Sequence, residues 1–278
     1  MYTIKSFNWG RCHILAVQST GGLGNLLFQF AFIYSFAKNN GCKYTIVGLE
    51  NYKNPHTDTN LNFLKTSITR DKNFVHECRL NLPKEVVEQC QFKFHDYRPL
   101  ICKNKDTLFH GYFQSEKYFK KYRCDILEIL KEPCHVTKKL NSTGIDFNNA
   151  IFLHIRLNDY IHLNWHLPIN YYIKCLQLLP EYIPKIYVFS DTIDTAKDII
   201  STLDTKGKSV DYISYLNEVE TLYAMSRMKY GGICANSSFS WWGAWLNTSP
   251  NKLVFMPKPW IKNDSHDVYP ENTIIIEV

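Results

Sequence analysis

Four short segments of this chain carry residue types that can do chemistry. The first is Asn236-Ser237-Ser238-Phe239-Ser240-Trp241-Trp242-Gly243-Ala244-Trp245, directly after the apolar run Gly231–Ala235. Serines at a helix start offer hydroxyls and backbone N–H groups together to an anion, and the helix dipole adds favourable potential, so a pyrophosphate fits there. The plainer alternative is that Ser238 only caps the helix and the tryptophans fill a core. The second is His154-Ile155-Arg156-Leu157-Asn158-Asp159-Tyr160. Alternation along a strand puts His154 and Arg156 on one face, Arg156 suits a phosphate, and Asp159 can hold Arg156 or accept a proton. A structural Arg–Asp pair at a strand end has the same spacing.

The third segment, Gly21-Gly22-Leu23-Gly24-Asn25, allows backbone to approach a ligand closely, with Asn25 bonding a ligand or its own turn. Gly22-x-Gly24 with Glu50 also begins a dinucleotide fingerprint, but Leu27 stands at the third glycine position, so an oxidoreductase is the lesser reading. The fourth, Tyr187-Val188-Phe189-Ser190-Asp191-Thr192, ends a strand in Ser-Asp, where a base or ribose contact is expected; helix capping by Asp191 or Thr192 is the alternative. No Asp-x-Asp occurs and no His, Cys or carboxylate cluster has metal spacing, so no metal site is expected. A departing pyrophosphate would then be neutralised by Arg156 and the helix terminus.

These segments need a scaffold of strands feeding helices. Cys12–Val17, the glycine turn, a helix over Asn25–Lys38 stopped by Asn39-Asn40-Gly41, and a strand over Tyr44–Val47 form a βαβ unit. The stretch from about 50 to 106 is polar and irregular. Ser115–Leu130 reads as a helix ended near Pro133. Polar residues 141–149 mark a lobe boundary near 145. Beyond it, strands at 150–155, 185–189, 209–213 and 230–235 alternate with helices at 168–179, 192–203, 218–227 and 239–246, as in a parallel α/β sheet.

At 278 residues, with 45% hydrophobic and 21% charged side chains, the chain is globular and large enough for two α/β lobes. The net charge of +6 is spread over scattered lysines without a run of the length expected for a nucleic-acid tail, which reads as an ordinary solvated surface and only weakly favours an anionic small-molecule ligand. The nine cysteines are odd in number with no C-x-x-C pair, as expected of free thiols in a reducing compartment. The N-terminal stretch, with Lys5, Arg11 and His13, offers neither a signal-peptide core nor a membrane anchor, so a cytoplasmic location is expected.

Taken together, the segments resemble the α-1,2-fucosyltransferases of glycosyltransferase family 11. The resemblance rests on Gly21–Asn25 with Phe28-Gln29, Gly111–Phe119, His154-x-Arg156-x-x-Asp159-Tyr160, Phe189-Ser190-Asp191 and Asn236–Asn247. It implies a GT-B-like α/β fold of two Rossmann-like lobes, residues 1–145 on the acceptor side and 146–278 binding GDP-fucose, with the cleft between them. It further implies inverting transfer of L-fucose to the 2-hydroxyl of a galactose-type acceptor, without metal or cofactor. Expected catalytic residues are His154, Arg156 and Asp159. Expected donor contacts are Gly22, Gly24, Asn25, Arg156, Ser190, Asp191, Asn236, Ser237, Ser238 and Phe239, with acceptor recognition in the first lobe. The chain departs from the family pattern at Leu157, where a second arginine is usual, at Asn158 for glycine and at Leu26 for glutamine. An inactive sugar- or nucleotide-binding module is the competing reading that Leu157 prompts.

Overall fold

The computed structural model describes residues 13–53, 55–56, 62–76, 85–88, 93–97, 106–262 and 267–278. In chain order the elements are β1 (Ile14–Gln18), α1 (Leu23–Asn40), β2 (Lys43–Val47), α2 (Asn62–Thr69), β3 (Glu85–Glu88), β4 (Thr107–His110), α3 (Arg123–Ile129), α4 (Cys134–Asn141), β5 (Ala150–Ile155), α5 (Asn158–His162), α6 (Ile169–Leu178), β6 (Lys185–Ser190), α7 (Ile193–Ser201), β7 (Ser209–Ile213), α8 (Glu218–Arg227), β8 (Gly231–Ile233), α9 (Ser238–Leu246), β9 (Leu253–Lys258) and β10 (Ile274–Glu277). All described strand pairs are parallel.

The strands form two sheets, ordered β2-β1-β4-β3 and β10-β9-β8-β5-β6-β7. β5 is buried along its whole length, as a central parallel strand covered on both faces must be. In the second sheet the chain steps outward from β5 to β6 and β7, then returns through α8 to place β8 on the other side of β5. That reversal opens a crevice at the C-terminal ends of β5 and β8, the position where open α/β sheets take ligands. The first sheet reverses likewise between β1 and β4. The segments after these four strands are Arg156–Tyr160, Asn236–Phe239, Gly21–Asn25 and Gly111–Gln114.

One apolar core runs continuously between the sheets and holds α1 against α9. Its centre is aromatic: Phe28 lies 4.4 Å from Trp241 and 5.2 Å from Trp242, and Phe119 stacks on Trp242 at 5.6 Å. A second core packs Tyr171, Cys175, Leu176, Ala196 and Ile200 against the opposite face of the second sheet.

The expected βαβ unit is present, and Gly41, at φ 63°, donates its N–H to the last carbonyls of α1. The expected single helix over Ser115–Leu130 is instead two 3-10 turns, Glu116–Tyr118 and Lys120–Tyr122, followed by α3. Burial of the Phe119 ring in the aromatic centre, with its backbone at φ −139°, interrupts the helix. The irregular stretch supplies α2 and β3, with β4 directly after it, although much of 54–105 lies outside the described residues. Cys12, Cys78, Cys90 and Cys102 lie outside them too. Cys124, Cys134, Cys175 and Cys234 are free thiols. No described helix is long and apolar enough to cross a membrane.

Candidate functional site

A cleft of about 560 Å³ opens where the two switch points face each other. Its wall includes Gly22, Gly24 and Asn25 from the first sheet, and His154, Arg156, Asp159, Ser190, Asp191, Asn236, Ser237, Ser238 and Phe239 from the second. Four separate strand ends therefore deliver the expected residues to one space.

Two helix N-termini meet there. α1 begins at Gly22 without a side-chain cap, and neither α1 nor α9 has an acidic residue in its first turn. Their leading N–H groups have no intrahelical acceptor, and both macrodipoles point positive ends at the cleft. Gly24 makes the approach possible: a Cβ there would fall 2.6 Å from the Ser238 carbonyl carbon and 2.7 Å from the Phe239 nitrogen. The cap of α9 is Ser237, whose Oγ accepts from the Phe239 N–H at 3.4 Å. Ser238, the cap in the plainer alternative, is helical and partly exposed in the cleft. The tryptophans do fill the core: Trp241, Trp242 and Trp245 are buried in it.

Arg156 is gripped from two sides. Its Nε and Nη2 donate to Asp159 Oδ1 at 3.1 and 2.7 Å, and Nε lies 3.2 Å from Asp191 Oδ2. Asp191 also accepts the Leu157 N–H at 2.9 Å, so its carboxylate braces the Arg156 loop; α7, which follows, has no side-chain cap. Among the described residues Nη1 takes no partner, which leaves one edge of the planar guanidinium for an incoming anion. The Leu157 side chain is buried in the second core and does not line the cleft.

His154 is buried, with an unsatisfied Nδ1 and its ring 6.0 Å from Phe239. Burial, with Arg156 nearby, pushes the imidazole down to about 3, so it is neutral at physiological pH. In the unfolded chain it takes up a proton as pH falls through about 6.5, and the fold refuses that proton until about pH 3. This group's stabilisation is therefore full above about pH 6.5 and lost on acidification, amounting to about 2 kcal/mol between pH 7 and pH 5. Denaturant midpoints of wild type should fall more steeply over that interval than those of His154→Gln; parallel profiles would refute the assignment.

The first sheet's turns are fixed by amides. Asn25 Oδ1 accepts from Gln114 Nε2 at 2.7 Å, so Asn25 is engaged across the switch point and not in its own turn. Buried Gln29 accepts the Thr20 N–H at 3.1 Å and donates to the Gly111 carbonyl at 3.0 Å. Glu50, the acid of the dinucleotide alternative, pairs with His76 at 2.8 Å and does not line the cleft. Residues not singled out from sequence also line it, among them His56, Tyr112, Tyr160, Trp165, Glu218 and Trp260. Burial, ahead of the field of Arg156, lowers the His56 imidazole. Tyr112 and Tyr160 lie within segments quoted from the sequence; His56, Trp165, Glu218 and Trp260 belong to no such segment and are brought in by folding. Among the described residues no three His, Cys, Asp or Glu side chains gather as a metal set.

The sequence profile of the family described as Glycosyl transferase family 11 matches residues 6–269. The chain belongs to glycosyltransferase family 11. As a member of that family it is a glycosyltransferase, and its relatives carry sugar-transfer functions. It is 29% identical over 289 residues to the alpha-1,2-colitosyltransferase of Escherichia coli, covering 95% of this chain and 99% of the relative. It is 26% identical to the O-antigen biosynthesis glycosyltransferase WbnK of Escherichia coli, covering 88% and 94%. Among solved structures, NodZ alpha-1,6-fucosyltransferase co-crystallised with GDP superposes with a TM-score of 0.51 at 12% identity, covering 84% of this chain and 92% of that one. NodZ from Bradyrhizobium superposes at 0.50. The shared feature is the fold, α/β with parallel sheets of the GT-B-like kind.

Proposed function

We propose that the chain transfers L-fucose from GDP-fucose, with inversion and without a metal, to the 2-hydroxyl of a galactose-type acceptor. The observation that carries the reading is the convergence of Arg156 with the N-termini of α1 and α9 on one cleft. An anion-binding constellation at the switch point of a family 11 glycosyltransferase suits the diphosphate of a nucleotide-sugar donor. We assign the donor to the second of two lobes divided near residue 145, with the cleft between them.

In this mechanism the bond from the anomeric carbon to the β-phosphate oxygen lengthens first, giving an oxocarbenium-like centre. The charge growing on GDP meets the Nη1 edge of Arg156 and the N–H groups near Ser237 and Ser238. The acceptor hydroxyl attacks the opposite face and gives its proton to a weak base. Asp159 suits that role better than His154, being partly exposed and anchored through Oδ1, whereas the imidazole is buried.

The relation to a colitosyltransferase supports a second reading, GDP-colitose as donor. Incubation with GDP-fucose, GDP-colitose and other GDP-sugars against a panel of galactosides, with and without chelator, followed by linkage analysis by NMR, tests both. An α-1,2-fucosylated product at undiminished rate in chelator is expected. Product from GDP-colitose alone selects the second reading, and GDP binding without any product selects a catalytically silent module.

A further inference from the structure

Of the large apolar side chains left exposed, four crowd into the segment 161–169: Ile161 at 49%, Leu163 at 49%, Trp165 at 37% and Ile169 at 42%. Such clustering marks a binding surface more than scattered exposure does. We propose that Trp165 and this ridge form a platform for the acceptor sugar at the mouth of the cleft; the proposal rests on the reading that the acceptor is a neutral glycan.

Three observations lead there. The first is continuity, since Trp165 lines the same cleft as Arg156 and Asn236–Phe239 while keeping part of its ring in solvent. A molecule resting on it is beside the anion-binding constellation.

The second is rigidity. Asn236 Nδ2 donates to the Trp165 carbonyl at 2.9 Å, and Tyr160 Oη donates to the Asn236 carbonyl at 3.1 Å. The Trp165 N–H bonds the Tyr160 carbonyl at 2.9 Å, and the two rings meet edge to face at 5.8 Å. Asn164 takes the left-handed conformation, φ 53°, that closes this turn. The indole is therefore held before any ligand arrives, and little ordering is left to oppose weak sugar contacts. The same bonds tie the platform to Asn236, immediately before the cap of α9.

The third is charge. Between Asp159 and Lys174 there is no Asp, Glu, Lys or Arg; the amide and imidazole side chains there are His162, Asn164, His166 and Asn170. An anionic bilayer recruits Lys and Arg, which are missing here. A neutral pyranose presents C–H groups to an aromatic face and hydroxyls to amide and imidazole groups, which is this composition. Acceptor recognition then includes the second sheet, beyond the first-lobe location expected from sequence.

Saturation-transfer NMR with methyl β-D-galactopyranoside, the matching glucoside and N-acetylglucosaminide, in the presence of GDP, tests the platform on wild type, Trp165→Ala, Trp165→Phe and Leu163→Asn. At least one glycoside should give ring-proton signals with wild type, falling fivefold or more in Trp165→Ala, partly in Leu163→Asn and little in Trp165→Phe. GDP affinity should stay within about twofold throughout. Signals indifferent to Trp165, no glycoside signal from a chain that binds GDP, or Trp165-dependent sedimentation with phosphatidylcholine vesicles would each overturn the platform. A wild-type chain that does not bind GDP counts against the donor reading instead.

Discussion

Arg156→Lys should slow sugar transfer about a hundredfold while leaving the fold intact, equivalent to about 2–3 kcal/mol of lost transition-state stabilisation. The guanidinium serves Asp159 and Asp191 with Nε and Nη2 and still has Nη1 to offer. A lysine ammonium has one centre of charge, so holding either carboxylate draws it away from the leaving diphosphate. Because the interaction strengthens as charge develops, kcat should fall more than acceptor KM rises. Steady-state kinetics with GDP-fucose decide it, and turnover near wild type would remove Arg156 from the chemistry.

Gly24→Ala should be nearly as damaging by a different route. A methyl group there meets Ser238 and Phe239 backbone within 2.7 Å, and backbone in a buried helix start cannot swing aside as a flexible side chain can. α1 and α9 must separate, at an overpacking cost of about 1–3 kcal/mol, and their N–H groups no longer converge. GDP affinity should fall roughly tenfold or more, together with Tm. Gly41→Ala makes the control. At φ 63°, with nothing within 4 Å of its added Cβ, it carries only left-handed strain of about 1–2 kcal/mol at the far end of α1. It should lower Tm and leave GDP affinity unchanged; equal loss of affinity in both variants would show that Gly24 acts through general stability alone.

Much of the second sheet was readable because its signals are local. The apolar run 150–155, the strand 209–213 and the helix 218–227, which opens on an Asn217–Glu220 capping box, occupy the expected residues. The first sheet was less readable. β3 and β4 are four residues each, too short for alternation to stand out, and the pairing of β4 with β1 is a long-range event, with β3 joining the sheet only through β4. β9 and β10 went unassigned for the related reason that they follow the last helix as isolated runs, without an intervening pattern to frame them.

What the sequence by itself determined is the inventory of chemical groups and the turn after which each one sits, since glycine turns, caps and strand periodicity depend on neighbours a few positions away. Tertiary structure alone decided that four such turns share one cleft, that Asp191 braces Arg156 and Leu157 instead of capping a helix, and that Ser237 is the cap of α9. It also brought in Trp165, Glu218 and His56, which no motif announces. Those outcomes follow from strand order and from one close approach at Gly24, contacts that span most of the chain's length and leave no periodic trace in it.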